Sequence, residues 1–194
     1  MAGNCGRLTD DLLNNCDYPL VGGVKDRLIL MNQDDVDTYT EDVSNPQIIT
    51  DITLVASPAV RAYEIEGINS SNDKLVALVK GAYSTTWNHQ ITVRIFSTGA
   101  DVKKQIENMT KGKLIALVEH NYRGENGDAA FEILGRVQGL EVLECTQDMS
   151  DTETQGAWVL RLSSPEKFKE PNTPATFFDT DYATTKAKVD ALLV

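Results

Sequence analysis

The chain has 194 residues, 18 Lys and Arg against 29 Asp and Glu for a formal net charge of −11 at pH 7, and is 41% apolar and 24% charged. At about 150 residues per domain this is one domain with extensions; the ordinary globular composition excludes a disordered or fibrous chain, and the acidic balance excludes tight binding of nucleic-acid phosphate. No apolar run approaches the roughly 20 residues that span a bilayer, and MAGNCGRLTDDLL lacks the apolar stretch of a secretory leader, so a soluble protein made in the cytoplasm is expected, with no membrane partner.

Residues 1–25 read as an N-terminal arm, with glycines around a short helix candidate, LTDDLLNNC. Short segments rich in β-branched residues and bounded by turn formers then follow, the signature of strands: Arg27–Asn32, Ile48–Val55, Ala62–Ile68, Leu75–Lys80 and His89–Phe96. The acids Asp34, Asp35, Asp37, Glu41 and Asp42 between the first two read as a solvated loop. Val102, Ile106 and Met109 recur at helical spacing behind Gly99, which predicts one amphipathic helix over 100–111. Further strands are expected at Lys113–Tyr122, Phe131–Leu134, Leu140–Thr146 and Ala157–Ser163. The glycine-rich YRGENGDA, 122–129, suits the tip of a hairpin. PEKFKEPNTPATFF, 165–178, with three prolines and three Phe, reads as a strap pressed on an apolar surface, and a short helix is expected within 180–193. The organisation expected is an arm at 1–25, a β domain at 26–164 and a C-terminal strap with a short helix at 165–194.

The chain offers little for chemistry. Its only histidines, His89 and His120, sit in or beside strands and no G-x-S-x-G elbow surrounds a serine. Cys5, Cys16 and Cys145 share no metal spacing and read as free thiols. A calcium loop started at Asp35 fails, with Thr40 where glycine is required and Pro46 at the terminal acid position. Gly135-Arg136-Val137-Gln138-Gly139 is followed by no helix and marks a bend between strands rather than a phosphate cradle. Trp87, Trp158 and Tyr83 lack neighbouring cations and read as core aromatics. No catalytic, cofactor or metal site is expected, and the chain is not read as an enzyme.

The order of elements, with phrases such as AFEILGRVQGLEV and the closing GAWVLRLSSPE followed by FKEPNTPATFF, resembles the major tail tube proteins of tailed bacteriophages infecting Bacteroidetes. The resemblance covers about Asp26 to Phe178 and not the first 25 residues. It implies an α+β, mainly β fold: two packed antiparallel sheets in a barrel-like sandwich, the tail-tube fold, with one flanking helix and extended arms. It further implies hexameric rings that stack into a tube conducting double-stranded DNA without specific binding, in the virion tail beside other tail or neck proteins, after synthesis in the host bacterial cytoplasm. In that family inner sheets join into a β-lined channel, a long loop reaches the next ring and terminal arms lock subunits. The strands 62–68, 89–96 and 140–146 become ring candidates, and the contact candidates are Arg123, Gly124, Glu125, Asn126, Gly127, Phe168, Phe177 and Phe178. The alternatives are a neck ring or tail terminator, a capsid-decorating or adhesion module and, further off, a particle-associated hydrolase.

Overall fold

The structure, a computed structural model, describes residues 8, 11–13, 16–56 and 60–194. Much of the expected arm lies outside the described residues, including 9, 10, 14 and 15 of its helix candidate, and the described residues of that candidate are not helical. One sheet has seven strands, in the order β2 (Val36–Glu41), β3 (Ile48–Leu54), β11 (Ala175–Phe177), β8 (Phe131–Leu134), β7 (Leu114–His120), β1 (Val24–Asn32) and β4 (Tyr63–Glu66). The other has four: β5 (Asp73–Lys80), β6 (Thr85–Ile95), β10 (Trp158–Ser163) and β9 (Glu141–Gln147). Helix α1 spans Ala100–Met109 and α2 spans Tyr182–Ala191. The fold is α+β and mainly β, with two packed sheets that do not close into a barrel.

Strand β7 shows why the layers form. Its sequence LIALVEH is apolar on both faces of the pleat, and its first six residues are buried. Ile115 and Leu117 join Phe131, Phe177 and Val189 in one core, sealed by α2. Leu114, Ala116 and Val118 join Ile91, Val93, Leu160 and Leu162 in a second core between the sheets, to which α1 contributes Ile106. The large sheet is therefore covered on both sides at its centre, and the small sheet is packed on one side.

Two sequence expectations are corrected. The acids 34–42 are not a loop: Gln33–Asp35 form a 3-10 turn and Val36–Glu41 an edge strand paired with β3. A bulge between Val36 and Thr38 turns both Val36 and Tyr39 onto the core, a pattern that simple alternation does not reveal. The strap is not a surface layer either. Ala175–Phe177 enters the middle of the large sheet, antiparallel to β8 and parallel to β3, so the 165–194 segment completes the domain that precedes it. The parallel pair joins residues more than a hundred positions apart, beyond the reach of local pattern. Helix α2 is held by its N-cap, where the Asp181 carboxylate accepts the Thr184 N–H at 2.8 Å. No helix among the described residues is long and apolar enough to cross a membrane.

Candidate assembly surface

The small sheet presents a face that the chain itself leaves largely bare. In its β5–β6 register Lys74 opposes Ile91, Val76 opposes His89 and Leu78 opposes Trp87, all on the core side. Leu75, Ala77 and Val79 consequently face outward with Gln90, Asn88 and Thr86. The outward row continues through Val159 and Arg161 of β10 to Thr146 and Glu144 of β9. The β5 part of this wall is apolar and the rest is polar, and its charges cancel in pairs: Arg94 lies 3.6 Å from Asp73, and Arg161 lies 3.0 Å from Glu144. Its two outermost strands, β5 and β9, end the sheet and carry exposed Leu75 and Leu143. A strand edge with exposed apolar side chains is a template for pairing with another chain.

The residues expected to make contacts between subunits divide into three groups. The 123–127 loop joins the antiparallel β7 and β8 and is fastened to α2. The Arg123 guanidinium stacks 3.9 Å from the Tyr182 ring centre and lies 3.6 Å from the Glu119 carboxylate. Gly127, at φ +88°, packs so closely that a Cβ there would lie 2.5 Å from that of Tyr182. Gly124 is half-buried, and Glu125 and Asn126 point to solvent. Phe168 stands 65% exposed on the strap, whereas Phe178 is half-buried, its N–H donating to the Ile49 carbonyl. Phe177 is corrected: at 1% exposure in the centre of the large sheet it is a core residue and offers no contact surface.

The strap is fastened by Glu170, which the sequence reading passed over, and by His89, read there as a strand histidine without a catalytic role. Glu170 is buried at 1% exposure, and its carboxylate accepts the N–H groups of Val137 and Gln138 at 3.2 and 2.8 Å. The 135–139 segment is thus an anion cradle after all, built by Gly135 and Gly139 at φ +75° and +74°, but its anion is the chain's own carboxylate. Burial pushes the Glu170 carboxyl above its ordinary range despite these hydrogen bonds. Beside it, His89 accepts the Gly135 N–H on Nδ1 at 3.2 Å and donates from Nε2 to the Asn172 carbonyl at 3.0 Å, which defines a neutral tautomer. Burial lowers its pKa to about 4. His120 lies with Glu132 of β8 and Lys74 of β5, where Lys74 bonds both and ties one sheet to the other. Tyr83, expected in a core, is fully exposed, while Trp158 packs against the inter-sheet core.

Among the described residues no three His, Cys, Asp or Glu side chains are grouped to hold a metal ion. Comparison of the chain with family models, curated proteins and solved structures gives no match.

Proposed function

We propose that the protein is a structural component that closes into rings through its small sheet and stacks into a tube of the phage tail kind, a conduit for DNA. The observation that carries this reading is the four-stranded sheet with one face packed in the core, the other half-exposed, and both edges open. Joining β9 of one copy to β5 of the next satisfies both edges, and only closure of the series leaves none unpaired. Six copies, the number that the family resemblance implies, give a continuous wall roughly 115 Å around at ~4.8 Å per strand. Such a wall is wide enough to pass a DNA duplex.

The wall would be neutral through its ion pairs rather than acidic, and paired guanidiniums offer phosphate little to hold. The −11 charge of the chain then lies mostly on other surfaces. Negative-stain microscopy of the purified protein tests the reading. Rings or tubes with a central hole are expected, and their disappearance in Leu143→Lys, which places a charge at the β9 edge. Isolated particles at all concentrations would reject it.

A further inference from the structure

A groove of about 1000 Å³ runs between β4, the last strand of the large sheet, and helix α1. Ile65, Ile95, Ile106 and Met109 make its lining apolar, and Glu66 and Asp101 are exposed at its rim. Arg61 also reaches it, but its guanidinium lies over the Tyr63 ring and donates to the Leu193 carbonyl. The groove therefore suits an apolar anchor carrying positive charge.

The molecule displays such an anchor on its opposite side. Phe168 projects from the strap, 65% exposed, with the exposed Lys167 before it. The next residue, Lys169, is pinned through Nζ to Asn88 and the Ser164 carbonyl, and Glu170 is locked into the 135–139 cradle, so the aromatic is presented from a fixed base. A rigid aromatic loses little freedom on docking. Strand β6 connects the two features: its Trp87 end pairs with Glu170 of the strap, and its Ile95 end lines the groove. Eight residues of strand place them roughly 25 Å apart.

We infer that Phe168 of one copy docks in the β4–α1 groove of a second copy, with Lys167 meeting the Glu66 and Asp101 rim. Anchor and groove are different surfaces, so the contact is head-to-tail and propagates along the β6 direction instead of closing a dimer. That direction lies across the edge-to-edge joining of β5 and β9. On the ring reading, on which this assignment of direction rests, the contact holds one ring to the next.

The test uses the full-length chain, with circular dichroism to verify the fold of each variant. Sedimentation and negative-stain microscopy measure the extent of stacking. Phe168→Ala is expected to raise the concentration needed for stacking at least tenfold. Lys167→Glu and Glu66→Lys should each weaken stacking, and combining them in one chain should restore it, an outcome that general loss of charge does not produce. Rings that stack at the normal concentration in Phe168→Ala would overturn the docking and leave the ring reading intact. Head-to-tail chains without rings, abolished by Phe168→Ala, would uphold the docking while rejecting the rings. Failure of the double charge reversal to restore stacking would remove Lys167 and the acidic rim from the contact and overturn the inference as stated.

Discussion

Strand β7 of the large sheet and strand β5 of the small one are similarly apolar in sequence, LIALVEH and DKLVALVK, yet they have opposite surroundings. Helix α2 covers one face of β7 and the small sheet the other, so its alternate residues enter two separate cores. Strand β5 ends its sheet, leaving Leu75 and Leu78 about half exposed. An apolar strand buried on both faces is scaffold, and one left at an edge is a surface awaiting a partner. The large sheet is therefore buried on both faces at its centre, whereas the small sheet is buried on one and, in the proposed reading, carries assembly through its other face and its edges.

Substitutions can break this division. Phe177→Ala, in the centre of the large sheet, should cost about 3–5 kcal/mol in urea unfolding, whereas Leu75→Ala on the small sheet should change stability by less than ~0.5 kcal/mol. Equal losses would show that Leu75 is packed as Phe177 is and does not lie on a free surface.

The joint between the strap and the sheets responds to pH. Because the His89 pKa is depressed in the folded state, unfolded chains bind the proton first; its contribution is full above pH 6.5 and is lost as pH falls towards 4. The loss reaches on the order of 3 kcal/mol, offset in part by Glu170, whose raised pKa acts in the opposite direction. Urea midpoints measured from pH 7 to 4.5 should decline, and His89→Gln should flatten the decline. Glu170→Ala, which strips the Val137 and Gln138 N–H groups of their acceptor, should cost about 1–3 kcal/mol at pH 7.

Two smaller effects sharpen the comparison. Arg123→Ala removes the stacking on Tyr182 and should cost about 0.5–1 kcal/mol, read as a lower melting temperature with the fold retained. Leu143→Lys, on the open β9 edge, should leave stability within ~0.5 kcal/mol of the parent while ring formation disappears. A stability loss as large as that of Phe177→Ala would place Leu143 in the scaffold instead.

Local chemistry determined most elements. The β-branched runs bounded by turn formers gave nine of the strands, Phe131–Leu134 with both ends correct, and the spacing of Val102, Ile106 and Met109 gave α1. What the sequence could not determine depends on residues distant in the chain. Strand β2 was hidden because Asp37 and Glu41 are interspersed with its core residues Val36 and Tyr39 and a bulge breaks their alternation. Strand β11 was hidden because three residues carry no periodicity, and only the vacant position between β3 and β8 makes them a strand. The partners of Glu170 and His89 were equally invisible, since a carboxylate acquires a cradle, and a buried imidazole its neutral form, only when backbone groups from other segments converge on it. Periodicity is a property of neighbours along the chain, whereas burial, pairing and exposed edges are properties of neighbours in space.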